Sequence, residues 1–221
     1  FSAATALKPD HLPARLGVAR LMAATNRIDD ANRLIDAIVA AHPKAAEALA
    51  LQSDLRLLGG DRAGAKTSLE QAIAADESFL PARFALIQIL INEKQFDAAA
   101  LQLDAARSLR KGDLRVQYFD AAIALDKNDL SKARDMMQQV LKRAPAHVPS
   151  LVLAGAVELQ AGQPATAEGY LRKAVSIAPE HAGARKLLVR TYLGSNQPAK
   201  ALESIKPLLA SDARTDPQLL L

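Results

Sequence analysis

One position in every 34 along this chain is alanine: Ala31, Ala65, Ala99, Ala133, Ala167 and Ala201. Four residues after each of these the side chain is large and apolar, giving Ile35, Leu69, Leu103, Met137, Leu171 and Ile205, with Phe1 in the same register. A spacing of four puts both members of each pair on one face of a helix. The small residue lets a second helix approach closely, near the ~8–10 Å lower range of interaxial distances. Another column holds Asn26, Gly60, Lys94, Asn128, Gly162 and Asn196. Gly and Asn carry the least penalty in the left-handed conformation that ends a helix, so a tight turn is expected at each. Lys94 is the exception and predicts a strained or altered turn. Pro9, Pro43, Pro145 and Pro179 mark a second turn, with Glu77 and Lys111 in the intervening places. No insertion or deletion breaks the register. Each unit therefore reads as helix, tight turn, helix, second turn.

The same period explains a repeated string, Gln-Pro-Ala-x-Ala, at residues 163–167 and 197–201. Pro164 and Pro198 fall where the second helix opens, a place that suits a fixed φ and tolerates a missing N–H. Ile28, Arg62, Phe96 and Leu130 take that place in the other units. The string is architecture rather than a binding motif. Gln52 and Asp120 interrupt a first-helix column that Val18, Leu86, Ala154 and Leu188 keep apolar, so local irregularities are expected there.

Composition agrees with an all-α chain. Half of the 221 residues are apolar, only 4% are aromatic, and Trp is absent. Cysteine is absent too, which excludes disulfides and thiolate metal sites and leaves the compartment open. A net charge of +4 is too weak and dispersed to imply nucleic acid. No apolar run approaches the ~18–20 residues of a membrane span. The sequence opens FSAATALKPD, without an initiator Met or a signal peptide, and reads as a piece of something longer.

Candidate chemistry is thin. In GGDRAGAKT, residues 59–67, Ala65 separates Gly64 from Lys66, so the phosphate-loop spacing fails, and the segment follows helical rather than strand sequence. His11, His147 and His181 recur in the second turn, and His42 precedes Pro43; solvated turn histidines are expected rather than zinc ligands. Asp29 and Asp30 open a second helix, where acidic groups favour the helix dipole. The basic stretch RSLRKGDLR, residues 107–115, centres on a turn and has no interleaved aromatics. No catalytic constellation, cofactor site or metal site is expected.

The 34-residue length, the alanine column, the Gly/Asn turn and the closing Pro resemble the tetratricopeptide repeat (TPR) family. The resemblance implies one α-solenoid over residues 1–221, a right-handed superhelix of antiparallel helix pairs. Residues 1–11 end a repeat, 12–45, 46–79, 80–113, 114–147, 148–181 and 182–215 make six, and 216–221 begin another. Part-repeats at the ends suggest end-to-end self-association. In this family the first helix of each pair lines a concave face that binds protein or peptide. Carried over by resemblance, the partner-binding residues are Leu16, Arg20, Asp54, Phe84, Gln88, Asn92, Tyr118, Asp126, Val152, Gln160, Lys186 and Arg190. Ala23, Ala50, Ala122 and Ala156 lie among them, and Leu57, Ile91, Leu125, Leu159 and Leu193 are expected to be at least half core. The aromatics Phe84 and Tyr118 are the expected anchors. The paired Lys and Asn of the chaperone-tail clamp are missing at Leu16/Arg20, Ala50/Asp54 and Phe84/Gln88.

Residues 141–209 more narrowly resemble the TPR lipoprotein of PEP-CTERM/exosortase systems, through PAHVPSLVLAGAVE, GARKLL and QPAKALESIKPLL. That resemblance implies a non-catalytic scaffold for exopolysaccharide export or protein sorting, periplasmic and held to a membrane by a lipidated segment outside this sequence. The alternatives are a docking arm of a larger enzyme, such as a glycosyltransferase, and a cytoplasmic location. Nucleic acid and direct membrane insertion are not expected.

Overall fold

The first helix of each repeat begins at residue 12, 46, 80, 114, 148 or 182, so the 34-residue period of the sequence is the period of the backbone. The computed structural model describes residues 11–215, and these contain twelve helices and no strand. They are α1 (Leu12–Ala24), α2 (Ile28–Ala41), α3 (Ala46–Leu58), α4 (Arg62–Ala75), α5 (Leu80–Asn92), α6 (Phe96–Leu109), α7 (Leu114–Asp126), α8 (Leu130–Arg143), α9 (Val148–Gln160), α10 (Pro164–Ile177), α11 (Ala182–Gly194) and α12 (Pro198–Thr215). Odd-numbered helices are the first of each pair and are called A helices below; even-numbered ones are B helices. The part-repeats expected at the two ends lie outside the described residues, apart from His11.

The turn between A and B is one device used six times. Asn26, Gly60, Lys94, Asn128, Gly162 and Asn196 all have positive φ, between 55° and 81°. Next to each, the N–H of Arg27, Asp61, Gln95, Asp129, Gln163 or Gln197 donates to the carbonyl five residues back, at 2.8–2.9 Å. This pattern satisfies a carbonyl that the helix end would otherwise leave open. Lys94 adopts the same conformation as its Gly and Asn counterparts, at φ 61°. The turn is therefore unaltered, and the strain expected of a lysine there is carried in place. Pro164 and Pro198 are the first residues of α10 and α12.

Side chains cap the helix starts. Asp61 accepts from the N–H of Gly64 and Asp129 from that of Lys132. His11 and His181, five repeats apart, do the same with imidazole Nδ1, accepting from Ala14 and Ala184 at 3.2 and 3.1 Å. His147 pairs instead with the Ser150 hydroxyl at 2.8 Å. His11, His147 and His181 thus sit at helix starts, and the first two are also solvent-exposed as expected.

Two compact units divide the chain, the first ending at Gly112 and the second beginning at Asp113. Each contains three helix pairs. In both, every alanine of the repeat column is buried, from Ala31 to Ala201. In the first unit Ala31 packs with Leu16, Ala19, Ile35, Ile38, Ala48, Leu51 and Leu55. In the second, Ala133 meets Ala124 and Val157, while Ala167 and Leu171 meet Leu188 and Tyr192. Gly155 on α9 shows how close the approach is: a Cβ there would stand 2.6 Å from Leu171 Cγ on α10. Within the units, the backbones of successive A helices approach one another closely (α1–α3, α3–α5, α7–α9, α9–α11), whereas the backbones of the described B helices stand further apart.

Gln52 and Asp120 leave the helices regular, since α3 and α7 run unbroken through them. Gln52 is buried and bridges two neighbours. Its Nε2 donates to Asp36 Oδ1 of α2 at 2.8 Å, and its Oε1 accepts from the Ser68 hydroxyl of α4 at 2.9 Å.

Candidate binding faces

A face built from helices that touch each other is continuous, and in both units that row is the A helices. In the first unit it presents Arg20 on α1, Asp54 and the half-buried Ala50 on α3, and Gln88 and Asn92 on α5. Gln88 Nε2 donates to Asn92 Oδ1 at 3.1 Å, so these two side chains form one polar patch. Partial burial raises the Asp54 carboxyl above the usual aspartate range, and the Arg20 charge on the adjacent A helix pulls it back down. Two expected residues of this face are core instead. Leu16 is 0% exposed and Phe84 6%. Both lie on A helices, but the neighbouring helices close over them, so neither side chain is open to a partner.

In the second unit the A-helix face carries Tyr118 and Asp126 on α7, Val152 and Gln160 on α9, and Lys186 and Arg190 on α11. Tyr118 is half-buried: its ring meets Phe119 edge-on at 5.2 Å and His147 at 6.3 Å, and burial raises its phenol above the ordinary range. Gln160 spans two repeats, donating to the Asn128 side chain at 2.9 Å and to the Leu125 carbonyl at 3.4 Å. Lys186 and Arg190 are exposed and one helical turn apart. Half-buried Ala122 and Ala156 leave room between these longer groups. Of the leucines expected to be at least half core, Leu125 and Leu159 pack against core clusters, while two are more open, Leu57 at 38% exposed, within that expectation, and Leu193 at 59%, outside it. These two, with Leu58 at 66%, add apolar surface at the C-terminal ends of α3 and α11.

Several polar contacts tie repeats together and are invisible as motifs. Glu158 on α9, only 5% exposed, receives a two-pronged contact from Arg134 on α8, at 2.7 and 2.8 Å. Arg83 on α5 donates to Gln102 Oε1 at 2.6 Å and to the Glu77 carbonyl at 2.9 Å. Arg185, three repeats on, makes the equivalent pair of contacts with the Ser204 and Pro179 carbonyls. The one signal available in the sequence is the presence of Arg at 15, 83 and 185, in a column that otherwise varies.

The stretches weighed for chemistry are structural. Lys66 of GGDRAGAKT reaches Gln95 at 2.8 Å and Glu93 at 3.3 Å, across to the next turn. Asp30 lies between Arg27 and Arg33, at 2.6 and 2.5 Å. Hydrogen bonds from Arg27 and then Arg33 hold its carboxyl below the usual range. Asp113 pairs with Arg115 at 2.7 Å. Among the described residues no group of His, Cys, Asp and Glu is arranged to hold a metal, and no helix is long and apolar enough to cross a membrane.

Residues 1–55 and 158–221 match a family model described as Tetratricopeptide repeat, and residues 120–182 match a second model of the same description. No curated protein matches the chain in sequence. Among solved structures, a tetratricopeptide repeat protein from Parabacteroides merdae is similar with a TM-score of 0.81, over 95% of this chain and 83% of that one, at 12% identity. A chain of the APC/C hetero-tetramer Cut9–Hcn1 gives 0.82 at 15% identity, over 95% of this chain but only 42% of its own. YrrB, a TPR protein with an unusual peptide-binding site, gives 0.56 at 21% identity, over 83% of this chain and 95% of its own. At these identities the likeness is one of fold.

Proposed function

The chain belongs to the tetratricopeptide repeat family, whose fold serves protein interaction, and on that premise we propose that it is a non-catalytic scaffold whose A-helix faces hold a protein or peptide. The observation that carries this is the contrast along the touching A helices. Columns that are alike in backbone position differ in chemistry from repeat to repeat: Arg20, Asp54, Gln88, Ala122, Ala156 and Arg190 share one column. Packing columns stay uniform because packing constrains them; a column that varies while remaining at the surface is free to match a partner. A solved relative in fold carries a peptide-binding site, and another sits in a hetero-tetramer, which supports the same reading.

The narrower proposal is a role in a bacterial exopolysaccharide-export or protein-sorting system. It rests on the likeness of residues 141–209 to the PEP-CTERM-system lipoprotein, and carries with it a periplasmic location and a lipidated anchor on another part of the protein. The test is a charge reversal on α11, Lys186→Glu with Arg190→Glu. Both side chains are exposed, so the melting curve should be unchanged. Affinity for the captured partner should fall by roughly tenfold or more, with a weaker salt dependence. Unchanged affinity sinks the assignment of this face. Mass spectrometry of the captured protein decides the export or sorting role separately.

A further inference from the structure

On the opposite side of the second unit, a cleft of about 790 Å3 lies between the B helices α10 and α12, floored by α11. A bulky side chain that fills the preceding repeat is missing from it. In the preceding repeat the equivalent place is bounded by Arg134, Met137, Ala154, Val157 and Glu158, and Tyr170 fills it. The residue 34 positions after Tyr170 is Ser204, which leaves the space open. The equivalents in the first unit are also engaged, Ser68 by Gln52 and Gln102 by Arg83.

What the opening exposes is specific in chemistry. Half-buried Val175 and Pro207 supply apolar surface above the core residues Leu188 and Tyr192, which are 4% and 5% exposed, and Arg172, Arg185, Lys200 and Lys206 outnumber the acids Glu168 and Glu203. Glu168 is already answered within the protein: it accepts from the Tyr192 hydroxyl at 3.3 Å and stands 3.8 Å from Arg172. Lys200 lies over the Tyr192 ring, 5.5 Å from its centroid. Cations therefore stand on both walls, from α10 and α12, above an apolar floor. A volume of this order accommodates one bulky side chain and its flanking backbone, within the ~300–1,000 Å3 of ligand clefts.

We propose that this cleft docks an acidic peptide segment carrying one bulky apolar side chain, on a surface separate from the A-helix face. The apolar group packs against Val175 and Pro207, and flanking carboxylates meet Arg172, Lys200 and Lys206. The proposal does not depend on what the A helices bind.

The probe is a fluorescein-labelled peptide of alternating Asp and Glu with a central Leu, followed by fluorescence polarisation; its Lys-substituted counterpart is the control. Saturable binding of the acidic peptide is expected, weakened by salt. Ser204→Tyr, which copies the filling seen at Tyr170, should weaken it by roughly tenfold or more. Lys200→Glu, a surface change that keeps the cleft open, should weaken it comparably, and it guards against a misfolded Ser204→Tyr variant. Lys186→Glu with Arg190→Glu, on the other face, should leave it unchanged. The proposal is overturned by absence of saturable binding, by an affinity equal to the parent's in both cleft variants, or by equal binding of the Lys peptide.

Discussion

Ala133→Leu shifts the urea unfolding curve of the second unit to lower denaturant, with a loss of about 3 kcal/mol. Ala133 is fully buried on α8, with Ala124 of α7 and Val157 of α9 against it. An isobutyl group in place of the methyl has no space to enter, so either the side chain leaves its preferred rotamer or the helices separate. Overpacking commonly costs about 1–3 kcal/mol, and the upper end applies because three helices meet at this point. Ala165→Leu, on the exposed face of α10, is the control and should stay within about 0.5 kcal/mol of the parent. Circular dichroism against urea checks both. A silent Ala133→Leu would mean that the alanine column does not set the helix approach.

Gln52→Leu has the second largest expected effect, and its sign runs against hydrophobicity. Leucine matches Leu86 and Leu188 in the same column, so a simple count of apolar contacts predicts a gain. The Ser68 hydroxyl, however, is fully buried and donates to Gln52. Removing its acceptor leaves a desolvated donor, a loss of about 2 kcal/mol. Asp36 is exposed and turns to water, so it adds little. Adding Ser68→Ala removes the stranded group, and the double variant should recover most of the loss. Additive losses in the double-mutant cycle would contradict the bridge.

The contrast between these two sites explains what the sequence reveals. Close approach and left-handed turns constrain single residues at fixed intervals, so the alanine column and the Asn/Gly column are visible without a structure. Even Lys94 obeys the geometry of its column despite its side chain. Pairwise solutions are different. Gln52 with Ser68, Arg134 with Glu158, and Arg83 with Gln102 each satisfy a buried polar group through a partner 16 to 24 residues away, and of these only the Arg83 contacts recur, at Arg185. No uniform column records the pairs.

The candidate binding faces are legible in the same partial way. Helical phase places Arg20, Asp54, Gln88, Lys186 and Arg190 at the surface, where the structure has them. Phase says nothing about depth, which depends on how neighbouring helices close over a residue, and so Leu16 and Phe84 pass into the core. The cleft between α10 and α12 goes with a change of size, Tyr170 to Ser204, which carries meaning only once both residues are known to occupy the same place.

The central claim is that a partner lies against the A helices, and site-specific photo-crosslinking tests it most directly. A benzophenone amino acid is placed at Ala156 on the A-helix face of α9, or at the exposed Gln139 on the B helix α8, with the cleft side chains left intact. Irradiation in cells should give a discrete protein adduct from position 156 and none from position 139. An adduct from position 139 alone, or none from position 156 while the partner still co-purifies, would contradict the account.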